Sequence, residues 1–126
     1  LTSRATASAA EIVSGVVQDY DRGILVGTRT FGKGLVQATR PLPYNAQLKI
    51  TTAKYYIPSG RCIQAIDYSH RNEDGSVGKI PDSLMVAFQT SKGRTVYDGG
   101  GIAPDVEVAP KRFSNLLRSS IFARLL

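Results

Sequence analysis

The pattern that most constrains the fold is a helical repeat of apolar residues followed by a short apolar run. Six apolar residues recur at the spacing of one helix face, so residues 8–19 are predicted to form an amphipathic helix. Ser8 and Glu11 have the spacing of a capping box at its start. Gly23 follows the helix, and residues 24–27 predict a buried strand. This succession indicates an α/β or mixed α+β fold. The six apolar residues are Ala9, Ile12, Val13, Val16, Val17 and Tyr20.

Further strands are predicted along the rest of the chain, separated by turn-forming residues. Residues 35–39 form one strand, and Tyr44-Asn45 makes a turn into a long strand over residues 47–57. The apolar positions of that strand change parity near Thr51-Thr52, which predicts a bulge. The remaining predictions are short strands at 62–65, 84–90 and 95–97, a hairpin turn at 91–93, an exposed loop at 67–81, an unusual glycine path at 98–101 and a C-terminal apolar helix over 113–126.

Length and composition describe an ordinary globular chain. The 126 residues suffice for one domain or part of one, and 42% of them are hydrophobic. The sequence begins at Leu1 without a methionine, so we expect it to be a piece of a longer protein. It contains no membrane-spanning apolar run and no signal-peptide pattern. Cys62 is the single cysteine, so a disulfide within the chain is excluded, and no metal or other cofactor is expected.

The chain has a net charge of +6, and it contains no acidic residue between Arg22 and Arg61. We interpret the basic residues of this stretch as a solvated sheet face, with attraction of an anionic ligand such as a peptide carboxylate as the alternative. Basic residues are scattered rather than clustered, so no nucleic-acid partner is expected. The basic residues of this stretch are Arg22, Arg29, Lys33, Arg40, Lys49, Lys54 and Arg61.

Ser8 and Lys33, 25 residues apart, provide the groups for a serine nucleophile with a lysine base. A serine hydroxyl needs a group that removes its proton. The only histidine, His70, lies in a polar stretch. Lysine can act only when neutral, so its pKa must fall from about 10.4 to near neutrality, which requires burial. Apolar neighbours of Lys33 are expected to exclude water from its amine; they are Phe31, Leu35 and Val36.

Two further groups fit this chemistry. Gln37 can hold the lysine amine without a counter-charge, whereas a carboxylate at that position would keep the amine protonated. The main-chain N–H of Ala9, at the positive end of the helix dipole, can donate to an oxyanion. Taken alone, however, Ser8 is more often a simple helix cap and Lys33 an exposed turn residue.

A nucleotide-binding loop is the competing interpretation of the second segment. Residues 27–33 match the phosphate-binding motif as far as its lysine. Gly34 then occupies the position where that motif needs a Ser or Thr for magnesium, and a strand pattern follows instead of a helix. These differences argue against nucleotide binding.

Several motifs in the same order resemble those of the carboxyl-terminal processing peptidases, also called tail-specific proteases. They are SAAEIV at 8–13, VGTRTFGKG at 26–34, LKITTAKYY at 48–56 with PSGR at 58–61, and GGIAPD at 100–105. By this resemblance Ser8 is the nucleophile, Lys33 the general base and Gln37 the residue that orients the lysine. Ala5 replaces a glycine that usually precedes the Ser-Ala run, and Tyr44-Asn45 replaces an Asp-Gly turn.

The resemblance implies a partial crotonase/ClpP-like peptidase core. Residues 1–126 are expected to be the C-terminal portion of the catalytic domain, without the upstream core and PDZ domain. The implied activity is serine endopeptidase cleavage of proteins near their C-termini, by a chain that is inactive alone. The implied partners are a protein or peptide with a free C-terminus and further copies of the chain, with membrane association only through segments outside it. The implied location is the bacterial envelope or periplasm.

Two other classes of function remain open from the sequence. One is a non-catalytic module of the same fold that binds peptides or associates with itself. The other is a basic nucleic-acid-binding domain, which salt-dependent binding of DNA or RNA would support.

Overall fold

The computed structural model of the chain describes residues 1–109. Helix α1 spans Ala9–Asp19, as the apolar repeat predicts, and Ser8 is its N-cap. A short 3-10 helix, Asp82–Leu84, lies between the fifth and sixth strands. The predicted helix at 113–126 lies outside the described residues. The strands are β1 Val26–Gly27, β2 Leu35–Pro41, β3 Gln47–Lys54, β4 Ile66–Arg71, β5 Val77–Lys79, β6 Ala87–Gln89, β7 Thr95–Tyr97 and β8 Val106–Glu107.

The strands of the described part form four separate pairs. β2–β3, β4–β5 and β6–β7 are antiparallel hairpins, while β1 and β8 pair in parallel. Thr2 extends the β1 side through a bridge to Gly27. The architecture is therefore mixed α/β, with one helix and mostly short strands in residues 1–109. A small apolar core joins these elements; its members are Leu25, Ile57, Ile63 and Ile102.

The buried face of α1 is polar, contrary to the expectation from its apolar repeat. Glu11, Gly15, Gln18 and Asp19 are buried, whereas Val13 is 65% exposed. The reason is close packing at Gly15, where a Cβ atom would lie 2.7 Å from Ile57 Cδ1. The polar side chains on this face are tolerated because each finds hydrogen-bond partners. The apolar face is left partly exposed within the described residues.

The β2–β3 hairpin follows the sequence prediction closely. Val36 pairs with Ala53 and Gln37 with Thr51, so Thr52 is the extra residue of the predicted bulge. Tyr44 and Asn45 have φ values of 62° and 56°, the left-handed conformation of a tight hairpin turn. β3 ends at Lys54 rather than at residue 57, and all of its residues are exposed.

Three secondary-structure predictions differ from the structure: one strand is absent, one predicted loop contains a hairpin, and one strand is shorter than predicted. Residues 62–65 are extended but not a strand, because their main chain bonds to glycine-rich loops rather than to a regular neighbour: Ala65 N–H donates to Gly32, and Gly101 N–H donates to Ile63. Residues 67–81, predicted as a loop, contain most of the β4–β5 hairpin. The strand predicted at 84–90 is only Ala87–Gln89, since a 3-10 turn occupies its beginning. The hairpin turn at 91–93 and β7 are confirmed.

Arg61 is buried in an ion pair, so the interpretation of its stretch as a solvated face is wrong at this position. Its Nη2 lies 2.9 Å from Asp19 Oδ1, and both side chains are 1% exposed. Gln18 Oε1 and the Tyr97 carbonyl oxygen accept further hydrogen bonds from the guanidinium. Burial lowers the pKa of Arg61, while the charge of Asp19 opposes that change. This cluster attaches the end of α1 to the β7 region.

Asp105 connects the loop before β8 to both α1 and β1. Its carboxylate accepts hydrogen bonds from Leu25 N–H at 2.7 Å and Gln18 Nε2 at 3.0 Å, and it pairs with Arg94. Burial acts to raise the pKa of Asp105, but these hydrogen bonds and the arginine outweigh it, so the pKa lies below its ordinary value.

Acid should therefore weaken the fold through Asp105. A carboxyl group with a lowered pKa in the folded state contributes stability above its unfolded pKa of about 3.9, and this contribution is lost as pH falls. We expect the free energy of unfolding to decline below about pH 5 and Asp105→Asn to be less stable at pH 7 with a flatter decline. Urea unfolding followed at several pH values measures this. Parallel declines in the two proteins would contradict the assignment.

Candidate active site

Ser8 is held in a backbone conformation that residues other than glycine rarely adopt. Its φ is 58° and its ψ is −123°, and its side chain is half-buried immediately before α1. The Glu11 half of the predicted capping box is formed, since Ser8 N–H donates to Glu11 Oε2 at 2.9 Å. Backbone strain of this kind costs on the order of 1–3 kcal/mol and clusters at functional sites. The conformation is therefore evidence for a role beyond capping.

Glycine and alanine at position 8 should separate this strain from the loss of the hydroxyl group. Both substitutions remove the hydroxyl, but only Ser8→Gly relieves the positive φ. We expect Ser8→Gly to be more stable than Ser8→Ala by about 1 kcal/mol. At Ser14, inside α1, the order should reverse, because glycine destabilises a helix interior by about 1 kcal/mol relative to alanine. Denaturant unfolding of the four variants measures both orders; a Ser8→Ala variant as stable as Ser8→Gly, or more stable, would show that Ser8 is unstrained.

Lys33 lies between two glycines that pack tightly against the segment before β4. Gly32 has a φ of 86°, and a Cβ atom there would lie 2.3 Å from Ala65 Cβ. A Cβ atom at Gly34 would lie 2.8 Å from Gln64 N. Both glycines are buried while Lys33 is exposed. The glycines thus place the backbone against the protein and leave the lysine side chain on the outer side.

Glu11 joins the Ser8 and Lys33 segments. Its side chain is fully buried and accepts a hydrogen bond from Lys33 N–H at 2.9 Å, on the same Oε2 atom that accepts from Ser8 N–H. The main-chain nitrogens of Ser8 and Lys33 are therefore separated by at most twice 2.9 Å. The fold brings these two backbone positions together across 25 residues of sequence.

The second oxygen of Glu11 completes the junction. Oε1 accepts from Gly32 N–H at 2.7 Å and from the Thr30 hydroxyl at 2.5 Å. The Thr30 hydroxyl in turn accepts from Ile102 N–H at 2.7 Å. Glu11 makes no ion pair within residues 1–109, so these four neutral donors stabilise its buried carboxylate. The sequence identified Glu11 only as a cap residue, because its bonds to Gly32 and Lys33 span more than 20 residues.

The remaining predicted site residues are less closely arranged. Gln37 is exposed in β2, opposite Thr51, and makes no hydrogen bond with Lys33 in the described part of the chain. The Ala9 N–H also has no acceptor there, as is usual in the first turn of a helix. The expected shielding of the lysine amine is not supplied by residues 1–109, because Phe31 is 52% exposed and Val36 is also exposed. Within residues 1–109, Lys33 is therefore open to water.

Comparison with known protein families gives a match over residues 1–70 to the model described as peptidase family S41. This region contains α1, both glycines of the Lys33 turn and the β2–β3 hairpin. The chain belongs to peptidase family S41. The resemblance stated from the sequence motifs is thereby confirmed.

Curated relatives in this family are much longer than the segments that match them. A carboxy-terminal-processing protease of Bartonella bacilliformis is 52% identical over 66 residues, which cover 52% of this chain and 15% of the relative. A carboxyl-terminal-processing protease of Picosynechococcus is 52% identical over 58 residues, covering 46% of this chain and 14% of the relative. A chloroplastic C-terminal processing peptidase of Tetradesmus obliquus is 42% identical over 69 residues, which cover 55% of this chain and 15% of the relative.

A solved structure resembles nearly the whole chain. It is described as the photosystem II D1 C-terminal processing protease, with 28% sequence identity and a TM-score of 0.51. The similarity covers 91% of this chain and 21% of that structure. The chain thus corresponds to about a fifth of the structural relative. Within residues 1–109, no helix has the length and apolar character needed to cross a membrane.

Proposed function

We propose that the chain is the C-terminal portion of the catalytic domain of a serine endopeptidase that cleaves proteins near their C-termini. Ser8 is the nucleophile and Lys33 the general base. The observation that carries this proposal is the Glu11 junction, since one buried carboxylate oxygen accepts from the main chains of both residues. The strained backbone at Ser8 supports the same assignment.

The proposed reaction proceeds through an acyl-enzyme. Ser8 Oγ attacks the peptide carbonyl carbon while the neutral Lys33 amine takes the hydroxyl proton, and Ala9 N–H donates to the oxyanion. The tetrahedral intermediate collapses, the C–N bond breaks, and Lys33 returns the proton to the leaving amine. Lys33 then takes a proton from water, the hydroxide attacks the ester, and the released Ser8 oxygen recovers a proton. We assign Gln37 the role of orienting the lysine amine.

Two features support the proposal that the chain alone lacks part of the active site. The Lys33 side chain is exposed, and the apolar face of α1 carries the exposed Val13 and Tyr20. A neutral lysine needs an apolar environment, and apolar side chains on a helix normally face a core. We propose that the upstream part of the catalytic domain covers both, and that it also supplies a second oxyanion donor and much of the substrate groove.

The exposed face of α1 also favours self-association of the chain. Apolar surface that forms a contiguous patch promotes contact between molecules. Half-buried apolar residues continue the patch formed by Val13 and Tyr20; they are Ile12, Val16 and Val17. A non-catalytic role in assembly is thus the second candidate function. For location we propose a bacterial cell envelope; the similar proteins include both bacterial and chloroplastic ones.

Cleavage assays on two forms of the protein test the proposal. The complete enzyme should degrade an unfolded protein and lose this activity with Ser8→Ala. The 126-residue chain should be weaker by at least about 10²–10³, because loss of one oxyanion donor costs that much in rate. Light scattering should show it larger than a monomer. Equal cleavage by a monomeric chain, lost with Ser8→Ala, would contradict the incomplete site; a complete enzyme unaffected by Ser8→Ala would contradict the peptidase assignment.

A further inference from the structure

A cavity of about 770 Å³ lies beside the Lys33 turn. Ligand sites in proteins occupy roughly 300–1,000 Å³, so the volume fits several residues of a bound peptide. Its walls come from five parts of the chain: Arg4, the segment before Gly32, the start of β4, the region from the end of β5 to Met85, and the glycines at 99–100. Much of the lining thus lies beyond residue 70, where the match to the family model ends.

The charged lining of this cavity is predominantly basic. Arg4, Arg29 and Lys79 contribute three cations, against the single carboxylate of Asp82. None of these four residues forms an ion pair within the part of the chain that the structure describes. The cavity therefore presents excess positive charge that a bound anion would neutralise.

Arg29 is the cation most firmly connected to the cavity wall. Its Nη1 lies 3.4 Å from the Gly100 carbonyl oxygen. A Cβ atom at Gly100 would lie 2.5 Å from the same Nη1, so a larger residue there would displace the guanidinium. The remaining donors of the guanidinium are free to bind a carboxylate, a pairing that its forked geometry favours. Apolar side chains also line the cavity; they include Phe31, Ile66 and Met85.

The position of the cavity connects it to the proposed catalytic residues. Thr30 and Phe31 line it and stand three and two positions before Lys33. Phe31 N–H donates to the Thr6 carbonyl oxygen at 3.0 Å, which fixes the cavity wall to the segment leading into Ser8. An extended peptide advances about 3.3 Å per residue, so a substrate at Ser8 would reach the cavity within a few residues of the cleaved bond.

We propose that this cavity binds a carboxylate of the substrate peptide, from an Asp or Glu side chain or from the C-terminus, close to the cleaved bond. The inference rests on the proposed function for the identity of its ligand. Binding, however, can be measured without cleavage. The cavity would then set a preference for acidic peptides over neutral peptides of the same size.

Fluorescence anisotropy with matched peptides on the 126-residue Ser8→Ala chain tests this preference. The first pair of peptides compares an internal Glu with an internal Gln, both with an amidated C-terminus. The second pair compares the Gln peptide with a free C-terminal carboxylate and the same peptide with an amidated C-terminus. The two pairs therefore distinguish a side-chain carboxylate from a C-terminal one. We expect at least one acidic peptide to bind about tenfold more tightly than its neutral partner, as for a charge-assisted hydrogen bond. Arg29→Gln and Lys79→Gln should each reduce this ratio, and Arg22→Gln, outside the cavity, should not.

The possible results separate the carboxylate site from an effect of net charge and from a failure of the proposed function. Equal affinity for acidic and neutral peptides, or a ratio unchanged in both cavity variants, would overturn the carboxylate site. A ratio that falls equally with Arg22→Gln would also overturn it, because the effect would then be net charge alone. Selective binding combined with no cleavage by the complete enzyme would leave the site standing and overturn the proposed function instead.

Discussion

Lys33→Ala in the complete enzyme should lower kcat by at least about 10⁴, the scale seen when a member of a serine catalytic unit is removed. Lys33→Arg should fail as well, because a guanidinium group stays protonated and cannot accept the serine proton. The rate of the wild-type enzyme should rise with pH as the lysine amine loses its proton. Steady-state cleavage of an unfolded protein at several pH values measures these effects.

Matched variants separate the chemistry from general effects of charge. Lys49→Arg makes the same change on the exposed strand β3 and should leave kcat unchanged. The circular dichroism spectrum of Lys33→Arg should match that of the wild type, since the Lys33 side chain is exposed. Near-normal turnover by Lys33→Arg would contradict a neutral-lysine base.

Glu11→Gln should destabilise the fold by about 1–3 kcal/mol for each buried donor that it leaves unsatisfied, because the network would lose its central acceptor. Four donors now share two carboxylate oxygens. The glutamine amide would direct its own N–H groups at some of these donors and leave them unsatisfied. Urea unfolding measures the change, and Glu73→Gln, at an exposed position, should be close to the wild type.

The same substitution should affect catalysis through positioning. A displacement of about 1 Å between reacting groups can cost about 10² in rate, so kcat of Glu11→Gln should fall at temperatures where the protein stays folded. Amide hydrogen exchange at Ser8, Gly32 and Lys33 should accelerate, since these N–H groups bond to Glu11. Wild-type stability together with unchanged exchange at these three positions would show that the junction does not hold the site.

Elements set by local chemistry could be predicted from the sequence. The capping residues and apolar repeat define α1, and the change of parity in β3 correctly places the extra residue near Thr52. The Tyr44-Asn45 turn also follows from its residues, because the asparagine tolerates a left-handed conformation. In each case the decisive interactions lie within a few residues.

Long-range packing explains the failures. The apolar repeat of α1 gave no sign that Gly15 would bring the polar face against Ile57. Arg61 was interpreted as a surface cation because its partner, Asp19, lies 42 residues away in the sequence. The β4–β5 hairpin was missed because its strands are polar and glycine-containing, and all but a few of their residues are exposed.

For the candidate site, too, local features could be predicted from the sequence and long-range contacts could not. Ser8 and Lys33 could be selected from residue type, local motif and family resemblance. The role of Glu11 at the junction could not, because its spacing from Ser8 was already explained by the capping box. Only contacts across 22 residues of sequence, to Lys33 N–H and the neighbouring Gly32 N–H, reveal that a cap residue also joins the two segments.

Covalent labelling of the nucleophile tests the central claim most directly. The complete enzyme is treated with a fluorophosphonate, which reacts with activated serine hydroxyl groups, and the labelled residue is located by mass spectrometry of its peptides. We expect one adduct on Ser8, lost in Lys33→Ala and retained in Lys49→Arg. An adduct on another serine, or labelling of Ser8 that is undiminished in Lys33→Ala, would contradict the Ser8–Lys33 assignment.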